Sequence, residues 1–302
     1  MKVLITGASG FIGQNLVKNL SEKFEVTPIS LRNENWESSL HESDIIINLV
    51  GKAHDHKGKA TDEDYIFANV TLVKQIFEAF QTSEAKLFIH ISSLAAIEEF
   101  ESKKPLTEDQ ECHPISIYAR TKREAEKWLL DQKMPPNKKL IILRPPMVHG
   151  PGDKGNLKLL YKFVSKGVPY PLSSFANNRS FLSIDNFSFF ITQIAVQVDD
   201  LQPGIYHIAD DESLSTMQII NCINNLQNKN MIILNIPKKL ITALAKIGDY
   251  LPVPINTKKL KKLTSDLLLS NAKIKNALGI EKLPLTALQG LELTLKSFAN
   301  KR

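Results

Sequence analysis

Apolar residues in the first half of the chain fall into short blocks. Residues 3–5, 25–31, 44–50, 86–92 and 140–143 each carry a run rich in Val, Ile, Leu or Phe. The run DIIINLV at 44–50 is apolar almost throughout, as a strand buried on both faces must be. Between the blocks the period changes. Residues 11–20, 64–80 and 116–132 repeat apolar positions three and four apart, which predicts amphipathic helices, and Pro135-Pro136 closes the last of them. Strands alternating with helices predict an α/β fold: a Rossmann-like, doubly wound parallel sheet with helices on both sides. Ligands of such sheets sit at the carboxyl ends of the strands, near the point where strand order reverses.

After about residue 147 the texture changes. GPGDKG at 150–155 and PYPLSS at 169–174 are loop-rich, and the tail from about 201 mixes short helices with proline breaks. A strand–helix pair at about 180–200 is expected to return to the sheet. The division expected is therefore a sheet domain at 1–146, with that pair added, and a smaller interleaved C-terminal lobe within 147–302.

The sharpest local feature is MKVLITGASGFIG, a strand followed by Gly7, Gly10 and Gly13 and then a helix. A glycine turn between a first strand and a helix N-terminus suits a pyrophosphate, because bare backbone can approach the anion and free N–H groups face it. Two further signals follow in order. Tyr118 and Lys122 are four apart at the start of a predicted helix and so share a face. A nearby ammonium is expected to lower the phenol pKa, so that Tyr118 can exchange a proton with a substrate oxygen. Ser92-Ser93 ends the block at 86–92, where a hydroxyl can address the same oxygen.

Composition narrows the setting. Two cysteines, Cys112 and Cys222, cannot build a disulfide framework, so a reducing, cytoplasmic location is expected. No apolar stretch approaches the roughly 18 residues of a membrane span, so no membrane insertion is expected. The net charge of +6 suits an anionic ligand. Its lysines are dispersed except for Lys258, Lys259, Lys261 and Lys262, and no nucleic-acid-binding motif accompanies them. His54-Asp55-His56 lacks the converging partners a metal needs and reads as a polar loop, so no metal is expected. Trp128 and Leu129 read as packing.

Taken together, Gly7-x-x-Gly10-x-x-Gly13, Asn69, Ser93, Tyr118-x-x-x-Lys122, LRPPMVHGPG (143–152) and RSFLSIDN (179–186) resemble the extended short-chain dehydrogenase/reductase family, also called the NAD-dependent epimerase/dehydratase family. The resemblance covers nearly the whole chain. It is nearest to nucleotide-sugar 4-epimerase-like enzymes and 4-keto-sugar reductases of surface-polysaccharide synthesis. It implies that Tyr118 is the acid/base, that Lys122 binds the nicotinamide ribose, and that Ser93 orients the sugar oxygen. It implies a cofactor site of Gly7, Ser9, Gly10, Phe11, Ile12, Gly13, Arg32, Asn69, Lys122, Pro145 and Val148. In the second lobe it implies contacts to a UDP-sugar from Asn156-Leu157, Pro171-Leu172 and Arg179. It also implies a homodimer built on the helices at 64–80 and 116–132. A second arginine near the C-terminus, usual in the family's epimerases, is missing, and Lys259 or Lys262 are the candidates for its place.

The chemistry within the family is narrowed by neighbours of Ser93. Dehydratases carry an Asp-Glu pair there and 3,5-epimerising reductases a cysteine; this chain has Leu94-Ala95. Hydride transfer at C4 remains. The second strand ends Ile29-Ser30-Leu31-Arg32, with arginine and no acid, which predicts NADP(H), with NAD(H) the alternative. The expectation is a 4-keto reductase acting on a UDP-linked, N-acetylated 6-deoxy sugar. A 4-epimerase is the alternative, and a non-catalytic cofactor-binding regulator is the third class.

Overall fold

Six parallel strands in the order β2-β1-β3-β4-β5-β8 form the central sheet. The computed structural model describes residues 1–53, 59–228, 232–251 and 255–299; the His54-Asp55-His56 stretch lies outside them. The elements run β1 (Lys2–Thr6), α1 (Phe11–Leu20), β2 (Glu25–Ile29), β3 (Ile45–Asn48), α2 (Asp62–Ile66), α3 (Leu72–Thr82), β4 (Leu87–Ile91), α4 (Ile117–Leu130), β5 (Lys139–Arg144), β6 (Met147–His149), α5 (Asn156–Ser165), β7 (Phe181–Ser183), α6 (Ile184–Val196), β8 (Gly204–His207), α7 (Thr216–Gln227), α8 (Lys238–Ile247), α9 (Thr257–Thr264), α10 (Ala272–Ala277) and α11 (Ala287–Ala299). Short 3-10 turns add Trp36–Leu40 and Leu94–Ala96.

The apolar blocks serve two faces. Val3, Ile5, Ile47, Ile89 and Leu143 pack against Leu16 and Leu20 of α1 and Phe187 and Phe190 of α6. Leu4, Ile46, Phe88 and Ile142 pack against Phe77 and Phe80 of α3 and Ala125 and Leu129 of α4. Alternate residues of each strand thus enter different cores, which is why the runs carry no polar alternation. Pro28 is tolerated in β2 because that strand is an edge and need not donate to a further neighbour.

A third core holds Leu157 and Tyr161 of α5, Ile220 and Ile223 of α7, and Leu291 and Leu295 of α11. The chain around it is threaded into the sheet domain. Leu106 bridges to Leu269, and Leu94, Leu106, Leu267 and Leu269 cluster together. Three features differ from the sequence expectation. The strand near residue 180 is β7, which pairs with β6 and not with the main sheet, although α6 after it does cover the sheet. The sixth sheet strand is β8, pairing with β5. Its sequence GIYH is too short and too polar to announce a strand. The helix expected at 64–80 is α2 and α3 joined by a π-helical turn, Phe67–Thr71.

Candidate active site

Strand order reverses between β2 and β3, on either side of β1. The glycine turn sits at that point. Gly7 has φ +70°, and a Cβ there would stand 2.8–2.9 Å from the backbone of Leu49 and Val50. A Cβ on Gly13 would meet Ala8 and the Gly7 carbonyl at 2.6 Å. Only glycine permits both approaches. Gly10 caps α1 with no side-chain hydrogen bond, and the first turn carries no acid. Ser9 and Gly10 are exposed, and Phe11 and Ile12 are half-buried. This bare cradle fits the pyrophosphate of a dinucleotide. The GPG loop lies against it: a Cβ on Gly150 would come 3.5 Å from the Phe11 ring, and Asn15 donates to the Pro151 carbonyl at 3.0 Å.

Ser93, Tyr118 and Lys122 converge beyond β4. The Tyr118 side chain is hydrogen-bonded to Ser93. Ser93 Oγ also accepts from the Ala95 N–H at 3.2 Å, and Leu94 N–H donates to the Pro145 carbonyl at 2.8 Å, which ties this turn to the end of β5. Val148 packs at the edge of the sheet core. Lys122 is 5% exposed and donates to the Ile91 carbonyl at 2.7 Å. Burial lowers its pKa to about 8, and Glu126 opposes that shift. Burial raises the Tyr118 pKa; the Ser93 hydrogen bond lowers it and the Glu99 carboxylate raises it. The sign is therefore opposite to the one the sequence suggested. Lys122 points its ammonium at a backbone carbonyl, while desolvation and Glu99 hold the phenol protonated.

Asn69 lies in the π-helical turn, fully buried. Its amide donates to the Lys52 carbonyl (3.1 Å) and to Thr121 Oγ1 (2.9 Å) and accepts from the Lys52 N–H (2.7 Å). A Cβ on Gly51 would meet Asn69 Oδ1 at 3.0 Å and Lys122 Nζ at 3.4 Å. Asn69 thus brackets the segment after β3 against α4, beside Lys122. Arg32 is exposed just past β2, its N–H donating to Ser30 Oγ at 3.4 Å.

The second-lobe residues are placed less uniformly. Asn156 is exposed at the first turn of α5, and Leu172 is 6% exposed within the third core, so its side chain is packing. Arg179 donates through Nη1 to the carbonyls of Lys262 (3.1 Å) and Ser265 (3.2 Å), capping the end of α9.

The profile of the NAD dependent epimerase/dehydratase family matches residues 3–209. The chain belongs to this family. It is an NAD(P)-dependent enzyme of the extended short-chain dehydrogenase/reductase type. Over 339 aligned positions it is 28% identical to the UDP-glucose 4-epimerase of Vibrio cholerae, covering 99% of this chain and 97% of that one. The fold is shared with UDP-glucuronic acid 4-epimerase of Bacillus cereus in complex with NAD (TM-score 0.77, 18% identity, 99% of each chain). It is shared equally with RMD of Pseudomonas aeruginosa complexed with NADPH (TM-score 0.75, 16% identity, 99% of each chain).

Sequence reading missed the polar layer behind this family triad. Glu126, four residues after Lys122, is fully buried. It receives Arg144 Nε at 2.8 Å and Nη2 at 2.6 Å, Arg123 at 3.0 Å, and the Ser92 hydroxyl. Across β1, β3 and β4, Thr6 donates to Asn48 (2.8 Å), whose amide reaches His90 Nδ1 (3.2 Å). An acid one turn after the lysine and an arginine closing β5 were the available signals.

Proposed function

We propose that the enzyme is a nucleotide-sugar oxidoreductase that moves a hydride between NADP(H) and C4 of a UDP-linked sugar. The preferred direction is reduction of a 4-keto, N-acetylated 6-deoxy sugar in polysaccharide precursor synthesis. The observation that carries this reading is the end of β2, where Ser30 and exposed Arg32 stand in place of a carboxylate, beside the glycine cradle. A guanidinium there complements a 2′-phosphate, whereas an acid would bind a free 2′-hydroxyl.

The residues fit the cofactor: Gly7 to Gly13 would cradle its pyrophosphate, Lys122 would hold the nicotinamide ribose, and Pro145 and Val148 would contribute to the nicotinamide end of the site. When bound, the nicotinamide supplies or accepts the hydride. Tyr118, held protonated by burial and Glu99, donates its phenolic proton to the C4 oxygen as the carbonyl becomes an alcohol. Ser93 hydrogen-bonds the same oxygen and fixes its position. Lys122 stabilises the tyrosinate that remains, once its ammonium turns from the Ile91 carbonyl. Leu94 and Ala95 carry no proton, so no elimination of water is assisted. The lobe within 147–302 holds the nucleotide, with Asn156 the exposed candidate contact.

A second reading, a UDP-sugar 4-epimerase that recycles NAD, is favoured by the likeness to the Vibrio cholerae enzyme along the full chain. Denaturing the purified protein and identifying any released nucleotide separates the two. An enzyme that arrives without nucleotide, takes up NADPH in preference to NADH and loses that preference in Arg32→Asp supports the reductase. Near-stoichiometric release of NAD overturns it in favour of the epimerase.

A further inference from the structure

Helix α8 presents two apolar faces about 110° apart around its axis. Ile241 and Ala245 are buried in the third core and anchor it. On another side, Leu240, Leu244, Ile247 and, just past the helix, Leu251 are 55%, 47%, 51% and 58% exposed. Their spacing of four, three and four puts them in one stripe along the helix axis. Tyr250 beside it is 92% exposed. Lys239 and Lys246, both exposed, flank the stripe on the side away from the core by the same periodicity. The neighbouring helix α9 adds Lys259, Lys262 and the 52% exposed Leu263, while its Lys258 lies over the Phe100 ring and its Lys261 pairs with Glu101 at 2.8 Å. Residues 232–264 hold seven lysines and one acid, Asp249, so this segment alone carries the +6 of the whole chain.

We infer that this α8–α9 face is a docking surface for an anionic lipid bilayer. A helix with an aliphatic stripe and a lysine-rich polar side lies in the interface plane, with its apolar face among the acyl chains and its ammonium groups among the phosphates. No described helix is long and apolar enough to cross a membrane, so this is attachment along a surface. Charge selects the occupant. A second copy meeting the same face would set lysines against lysines, whereas anionic headgroups complement them. The inference is independent of which sugar chemistry the active site performs.

The test is sedimentation of the full chain with vesicles of phosphatidylcholine alone and of phosphatidylcholine mixed with phosphatidylglycerol. The protein pellets with the anionic vesicles only and is released by high salt, which screens the lysines. Lys239→Glu with Lys246→Glu lowers binding at least about tenfold. Leu244→Glu with Ile247→Glu does the same, and both pairs leave turnover and the circular dichroism spectrum unchanged because all four side chains are exposed. In Tyr250→Trp the indole emission shifts to the blue when anionic vesicles are added. The inference is overturned if anionic vesicles fail to pellet the protein, or if binding persists in both double variants. It is equally overturned if light scattering shows an oligomer that Leu244→Glu with Ile247→Glu dissociates, since the stripe would then be a contact between copies.

Discussion

At the residue scale the proposed chemistry rests on one phenol and one ammonium with opposite shifts. Tyr118 is held above its ordinary value of 10.0 and Lys122 is lowered to about 8. In the reductive direction a protonated Tyr118 is required, so its own titration limits the rate only at strongly alkaline pH. Lys122 loses its charge first. The kcat/KM for reduction is therefore expected to fall as pH rises through about 8, and the limb should vanish in Lys122→Arg, whose guanidinium does not titrate there. Tyr118→Phe keeps the ring and removes the proton; kcat should drop about 100-fold or more with cofactor affinity unchanged, as measured by turnover and by nucleotide titration.

Helices and strands place these groups, and their supports are long-range. Ser116 caps α4 by accepting from Ala119 N–H at 3.1 Å, and Glu99 in turn accepts from Ser116 N–H at 2.7 Å. The first turn of α4, which holds Tyr118, is thereby fixed to the segment after β4. Deeper in α4, Glu126 meets Arg144 of β5 with neither side chain more than 1% exposed. Replacing the carboxylate by an amide, Glu126→Gln, leaves a guanidinium uncompensated in a dry interior and should cost about 3–5 kcal/mol, read from denaturant midpoints. The tyrosine and lysine motif was legible because its members are four residues apart. Glu126 was not, because Arg144 lies on another element and only the packing of α4 against β5 brings it near.

Across the whole molecule, three buried histidines resist protonation. Burial is the first cause in each: His90 lies well below its ordinary value, His149 is at about 4 and His207 at about 3. His149 Nε2 stands 4.0 Å from Asp210, but with His149 lowered to about 4 its imidazole is uncharged at neutral pH, so the two form no ion pair there. In the unfolded chain these imidazoles titrate near 6.5. Their stabilising contribution is present above that pH and is lost as pH falls toward about 4. Asp210 opposes them, since its folded form takes up a proton first on going down from about 6. Three groups against one set the direction, so the urea midpoint should decrease steadily on acidification from neutral pH. A homodimer through the α2–α3 and α4 surface is the expected assembly, with Ile66 and Phe67 exposed at 42% and 56% on it; light scattering of Phe67→Glu should then report a monomer.

What the sequence determined by itself was everything that depends on near neighbours along the chain. The glycine turn, the strand periods and the Tyr118–Lys122 face are written within a few residues, and a local pattern suffices to specify them. Tertiary structure decided what depends on residues far apart. It turned Asn69 into a bracket for Lys52 and Thr121, committed an Arg179 nitrogen to the end of α9, and made GIYH the sixth strand. It also set the sign of the Tyr118 shift, because desolvation is a property of the packed interior and a four-residue spacing carries no information about it.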